Sequence, residues 1–600
     1  MVYEIAFLSP STLQRVVVIA VAAVAILTIV WLGRAQADYD HDGIDLQDRF
    51  MMGIPWGTVL TVIFVIFVYL FLQDGLTHWR RPITIPFRAW SYFYPLGMLT
   101  AAFTHNGPGH LLGNLFGTLA VAPLAEYAWG HFPNMREAQS SSTSLRTNPY
   151  ARMLAVPGTA AIVGIVGTFF GLGPVIGFSG VVFAFVGFAV IIYPLGTALA
   201  LIGADALRVF VTAVQSPTLT AGGRSAYLSP WWADIAIQGH ALGLLMGVLL
   251  ALALVRSRQP VEQSGPGALR LWVGVVLVGI QQSLWAVYWY RGGDTYVLYR
   301  AVGVALVVIL AVVVTVAVIT SITTNTDVDA NKNTDGSTGV GAESRISLSQ
   351  DNKDNSRNGR WQVAAGILLI TTAAIAGPAI PYNLYTTNNE SLPGDAVVVE
   401  DYELTYAEGV ENGLVSAFDL TAFGETTTVT TSGVIVQSAD RDIWTTAVSA
   451  GRLAFTGQST VSIGGLGWRT PVHISRNGWT AGGNGTAYRV NASIGSPTAS
   501  DDVTSNSNTD TNKLENQTVL YLSDPVTATP RLANKTVTIV PQKSTYELRV
   551  NGSNQTQTAP LPTANNSVNI SGLQFERVSE TIYVSYDQTR IAVFEAETYN

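Results

Sequence analysis

The stretch GFSGVVFAFVGFAVIIY, residues 177–193, joins a Gly-x-Ser-Gly turn to an uninterrupted apolar run. An uncharged run of this length reads as a helix buried in protein or lipid. It follows the flexible Gly171-Leu172-Gly173-Pro174, so Ser179 opens the helix among backbone N–H groups that have no intrahelical partner. Outward from it, apolar stretches of spanning length recur at roughly 16–33, 54–72, 108–128, 154–171, 197–215, 233–255, 271–290, 298–321 and 361–380. The first is flanked by Arg15 and Arg34 and lacks a small-residue cleavage site, so it reads as a retained span rather than a signal peptide. The fold class is a multi-span α-helical membrane protein, and a soluble enzyme is excluded.

The averages over 600 residues, 48% hydrophobic and 12% charged with a mean hydropathy of +0.30, conceal a segregation. Residues 381–600 contain no spanning stretch and change to period-two alternation, as in Tyr546-Glu547-Leu548-Arg549-Val550. TIYVSY (581–586) and IAVF (591–594) flank Asp587-Gln588-Thr589 as a hairpin, so this region is expected to be all-β, in one unit or in two divided by 496–512. Residues 323–360 are polar, repeat-like and poor in aromatics, the composition of a disordered linker. Alternate loops hold 13 and seven Lys and Arg. The positive-inside rule then puts both termini, and the β region with all its Asn-x-Ser/Thr triplets, outside the cell membrane. With no cysteine, disulfides, thiol catalysis and Cys-ligated zinc are excluded. Five lysines against 28 arginines, with a net charge of −8, suggest adaptation to high salt and argue against nucleic acid as a partner.

Polar groups inside hydrocarbon are costly, so ionisable residues on the spans mark candidate sites. The third span opens His105-Asn106-Gly107-Pro108-Gly109-His110, with Asn114 four residues beyond His110 and on the same helical face. Two such donors can stabilise developing negative charge, or simply hydrogen-bond between helices. The seventh span carries His240 beside Gly239, Gly243 and Gly247, a groove that admits another helix; Gly180, Ala184 and Gly187 give the Ser179 helix a matching small face. Each feature alone has an ordinary packing explanation. Together they supply a nucleophile, a general base and oxyanion donors near the outer ends of their spans.

With these motifs the chain resembles the rhomboid family of intramembrane serine proteases over residues 54–255. The resemblance rests on His105-x4-His110-x3-Asn114, Gly177-x-Ser179-Gly180 and His240-x2-Gly243-x3-Gly247, in the family's order. It implies a six-helix core and a Ser–His dyad without a catalytic Asp or a cofactor. Ser179 would be the nucleophile and His240 the base. His110, Asn114 and the Ser179 N–H would form the oxyanion hole, with His105 shaping the entrance. Substrates would be transmembrane protein helices in the lipid bilayer. The chain departs from the family in having Leu96-Gly97 where Trp-Arg is frequent, Phe183 where Tyr is frequent, and Gly239 for Ala. The expected organisation is a span and acidic loop (1–50), the six-helix core (51–258), two further spans (259–322), the linker (323–360), a last span (361–380) and the outer β region (381–600).

Other signals are weaker. Asp38, Asp40 and Asp42 have the cadence of a calcium loop, but Arg49 stands where a bidentate Glu belongs, and an acidic solvated loop is the simpler reading. Asp205 and Arg208 suit an i,i+3 pair, and His473 a structural role among strands. A non-proteolytic rhomboid relative that binds membrane proteins is the alternative; a transporter or envelope receptor would want charged, broken helices. The β region is a candidate docking module for substrates or cell-envelope components.

Overall fold

The computed structural model describes residues 10–37, 49–130, 148–218, 225–233, 235–257, 267–322, 350–385, 392–413, 421–422, 425–426, 428–483, 485–495, 517–552 and 555–600. The chain forms two compact units. The first is helical: α1 (Pro10–Ala37), α2 (Trp56–Phe67), α3 (Pro108–Trp129), α4 (Pro149–Phe169), α5 (Ser179–Ile192), α6 (Pro194–Gln215), α7 (Ile237–Ser257), α8 (Ala268–Gln281), α9 (Arg300–Ile322), α10 (Gln350–Ala376) and the short α11 (Ala379–Leu384). Among the described residues, α3, α4, α6, α7 and α9 are long and apolar enough to cross a membrane; α1, α2, α5, α8 and α10 each carry a shorter apolar helical stretch.

Two boundaries differ from the expectation. The eighth span ends at Gln281, because Gln281-Gln282-Ser283 breaks the apolar run and Ser283 takes a left-handed turn (φ 60°). The aromatic residues beyond it, read as the end of that span, form the hairpin β1 (Tyr288–Gly292) and β2 (Thr295–Leu298). At the other boundary, α10 starts at Gln350, inside the segment read as linker; residues 323–349 lie outside the described ones.

The helical unit is built around α5, which is apolar on all sides and buried from Val181 to Ile191 apart from its partly exposed Phe185 and Phe188. It packs on α3, α6 and above all α7. The α5–α7 contact is backbone against backbone. A Cβ added at Gly243 would overlap the Gly180 carbonyl, one at Gly247 the Ala184 carbonyl, and one at Gly187 the Leu244 carbonyl. Without a hydrophobic force between helices in lipid, such close van der Waals approach is what holds them together. A second fixed point is Glu126 of α3. Its buried carboxylate accepts Gly57 N–H (3.0 Å), Thr58 N–H (2.9 Å) and the Thr58 hydroxyl (2.8 Å), capping the N-terminus of α2.

The second unit comprises residues 225–233, 288–297 and 385–600. Among the described residues it is all-β apart from one short helix, α12 (Ala450–Thr456). Its sheets are antiparallel: β3 (Ala396–Val399), β4 (Tyr402–Glu411), β7 (Thr430–Ser438) and β8 (Ile443–Ser449) form one, while β5 (Thr421–Ala422) and β6 (Glu425–Thr426) form a small hairpin. The largest runs β12 (Gln517–Leu522), β11 (Thr486–Ile494), β10 (Trp468–Ala481), β20 (Thr589–Ala596), β19 (Thr581–Tyr586), β18 (Leu573–Val578), β17 (Ser567–Ile570), with β9 (Gln458–Gly465) also on β10. The last has β13 (Val526–Thr527), β14 (Thr536–Pro541), β15 (Tyr546–Asn551) and β16 (Thr556–Pro560). In β15 burial alternates residue by residue, as the period-two pattern requires. The expected division at 496–512 does not separate two units, because β11 and β12, on its two sides, pair directly. Hydrogen-bonding partners that close a sheet across an insertion leave no signal in the local sequence. Asn491, one of the Asn-x-Ser/Thr residues, is 3% exposed within β11, which removes it as a glycan acceptor in the folded unit.

Gly243→Ala and Gly247→Ala must push α7 off α5, and each is expected to cost about 1–3 kcal/mol. Thermal unfolding in detergent should show both midpoints lowered, and Gly158→Ala, where an added Cβ meets nothing, unchanged or raised.

Candidate active site

Two loops converge on the start of α5. Ala89 N–H donates to the Val175 carbonyl (3.1 Å) and Gly177 N–H to the Ala101 carbonyl (2.8 Å), so the segment before α3 and the segment before α5 are tied together. Phe178, 1% exposed, anchors the turn in the core, and Ser179 follows as the first residue of α5. Gly177 has φ +124°, a region open to glycine, and a Cβ there would run into the imidazole of His110. His110 is therefore seated against the backbone two residues before Ser179.

His240 lies on the first turn of α7, its N–H bonded to the Ala236 carbonyl (3.0 Å). Its Nε2 is 2.8 Å from Ser179 Oγ, and in the tautomer with Nε2 unprotonated the serine hydroxyl donates to it. Sixty-one residues separate the two in sequence. The ring of Phe183, one turn along α5 from Ser179, stacks on the imidazole with centroids 4.3 Å apart and planes at 15°. Nδ1 of His240 is buried without a hydrogen-bond partner among the described residues. The imidazole is thus oriented by ring stacking and helix packing, in the place where a Ser-His-Asp site uses a carboxylate. The glycine contact sets the spacing: Gly243, one turn beyond His240, rests on Gly180, one residue beyond Ser179, so side chains on the two first turns meet.

Asn114 is 7% exposed on α3, one turn below His110, and its Nδ2 is buried with no partner among the described residues. A buried unpartnered amide donor carries a desolvation cost that an oxyanion would relieve. His105 is fully buried, its ring edge-on to His110 at 5.1 Å. Its backbone is held by Gln73, whose Oε1 accepts His105 N–H (2.7 Å) and whose Nε2 donates to the His105 carbonyl (2.9 Å). A cavity of about 40 Å³ touches Ser179 and His240 and is otherwise lined by glycine, alanine, valine and isoleucine, with Thr168 the one further polar side chain. That is room for a water molecule beside the pair.

The remaining expected residues are elsewhere. Asp38, Asp40 and Asp42 lie outside the described residues. Asp205 accepts from Gln281 Nε2 at 3.2 Å, a cross-helix partner that the i,i+3 reading toward Arg208 passed over. His473 bonds to Thr460 (2.9 Å) on the neighbouring strand. No group of three or more His, Cys, Asp or Glu able to hold a metal ion occurs among the described residues. Sequence reasoning passed over Gln73 and Gln238: Asp74 follows the first and His240 lies two residues beyond the second, so neither stands out as a lone polar group on its apolar stretch.

Gly177→Ala combines a strained backbone with a clash on His110. It should leave the protein folded but slow the reaction of Ser179 with a fluorophosphonate by tenfold or more, measured as a labelling rate constant. Set against protein families, curated proteins and solved structures, the chain finds no match.

Proposed function

We propose that the protein is a rhomboid-type intramembrane serine endopeptidase, with α2–α7 as its six-helix core and α1, α8, α9 and α10 as additions. The observation that carries this reading is the Ser179 Oγ–His240 Nε2 contact of 2.8 Å between two apolar helices, with Phe183 stacked behind the imidazole. The length of α5 supports it. Fourteen residues of helix extend only about 21 Å, short of the ~30 Å hydrocarbon core, so a serine at its end sits below the membrane surface. The excess of Lys and Arg in one set of alternate loops supports reading the β unit as outside the cell.

The chemistry follows from the geometry. His240 accepts the Ser179 proton as Oγ attacks the carbonyl carbon of a substrate peptide. The negative charge on the former carbonyl oxygen is met by the Ser179 N–H, His110 and the free Asn114 amide. His240 then returns the proton to the leaving amine, and an acyl-enzyme remains on Oγ. Water entering beside the pair gives its proton to His240, adds to the ester and releases the acid, restoring the serine. A substrate helix must present an extended peptide to Oγ, so segments with weak helix propensity are the expected cleavage sites.

The test is cleavage of a model transmembrane substrate by purified protein in liposomes. Ser179→Ala and His240→Ala should each lower turnover by roughly 10³-fold or more, and Asn114→Ala by about 10²–10³. Equal cleavage by wild type and both dyad variants would overturn the dyad, and no cleavage by the wild type would leave a membrane-protein-binding scaffold as the reading.

A further inference from the structure

The end of α4 leaves its last carbonyls without intrahelical partners, in surroundings where an unsatisfied backbone group is costly. Three side chains take them up. Phe169 O accepts the Tyr92 hydroxyl (2.6 Å) and Asn383 Nδ2 (3.3 Å), Gly171 O accepts Asn383 Nδ2 (3.0 Å), and Phe170 O accepts Gln238 Nε2 (2.8 Å). Gln238 Oε1 accepts Leu172 N–H (3.0 Å), and its Nε2 also donates to the Ile375 carbonyl at the end of α10 (2.9 Å). The Asn383 carbonyl in turn accepts Tyr92 N–H (2.9 Å). Asn383 is fully buried on α11, and the Tyr92 and Phe169 rings stack at 5.7 Å.

These contacts concern both halves of the Ser179–His240 pair. The segment 169–172 leads directly into the loop that delivers Ser179, and Gln238 is two residues before His240 on the first turn of α7. A single side chain therefore links the serine loop, the histidine helix and the tenth helix. We propose that Gln238 and Asn383 are positioning residues for the dyad, and that α10–α11 braces the site. The inference rests on reading Ser179 and His240 as nucleophile and base. It makes the six helices α2–α7 incomplete as a catalytic unit. The same piece of chain that runs on into the β unit at Tyr385 holds the serine loop in register.

The experiment uses full-length protein in liposomes and a fluorophosphonate probe, with labelling rate constant and final stoichiometry read separately, alongside kcat and KM for a model transmembrane substrate. Gln238→Ala and Asn383→Ala should slow labelling and lower kcat at least tenfold while stoichiometry and KM stay near wild type. Gln238→Glu, which keeps the acceptor for Leu172 and loses the donor, should fall between. A purely structural role would lower stoichiometry and leave the rate constant of the folded fraction unchanged, and that result overturns the proposal. Should both alanine variants fail to fold, Tyr92→Phe decides: it removes one hydrogen bond to Phe169 and keeps the ring stack. A slower rate constant supports the brace and an unchanged one overturns it. Labelling that survives Ser179→Ala overturns the nucleophile and the brace together; labelling lost in Ser179→Ala but unaffected by the brace variants overturns the brace alone.

Discussion

The close approach of α5 and α7 is the constraint on which the helical unit depends. Glycines at 180, 187, 243 and 247 allow carbonyls and Cα atoms of the two helices to touch, and this contact carries no side chain that could be exchanged for another of similar size. Because both helices begin at the same end of the contact, their first turns face each other. Ser179 and His240 are brought within hydrogen-bond distance by backbone packing, and Phe183 then fixes the ring plane. No buried carboxylate need be desolvated to orient the imidazole, which suits a position enclosed by apolar helices.

A second requirement follows from placing irregular backbone among apolar helices. Every loop near the site must find partners for its N–H and C=O groups inside the protein. Gln73 serves the His105 segment, Gln238 and Asn383 serve the end of α4, and Glu126 serves the start of α2. Gln73, Asn383 and Glu126 are buried and Gln238 is partly buried; the cost of enclosing them is offset by backbone groups that would otherwise be orphaned. The bonds are directional, so they also hold the loops in one conformation. Rigidity around the serine loop is thus a consequence of satisfying hydrogen bonds away from water.

The helices were legible because a spanning stretch must be apolar over its whole length, and period two exposed strands such as β15 for the analogous reason. Reading failed where the same composition serves two structures. Residues 284–290 are as apolar and aromatic as the end of a span, yet Tyr288 and Tyr290 belong to a hairpin, where their rings pack on Tyr296 of the second strand. The polar insertion at 496–512 resembles a boundary, yet β11 and β12 pair across it. Of the site, the residue types were visible as rare polar groups on apolar spans. Gln238 and Asn383 were not singled out, since their partners are backbone atoms far away in sequence, which leave no trace in residue identity.

What the sequence determined by itself was the apolar, membrane-type character of the helices and the chemical inventory: runs of apolar residues, a serine opening one of them, and histidines at the starts of two others. Periodicity and composition are local properties, and they specify which elements form and which face each residue occupies. The tertiary structure decided the 2.8 Å between Ser179 and His240, the stacking of Phe183, and the use of the tenth helix to hold the serine loop. Those contacts join residues from 57 (Phe183 to His240) to 137 (Gln238 to Ile375) positions apart, and only the packing of whole helices, through glycine contacts and shared carbonyls, sets them.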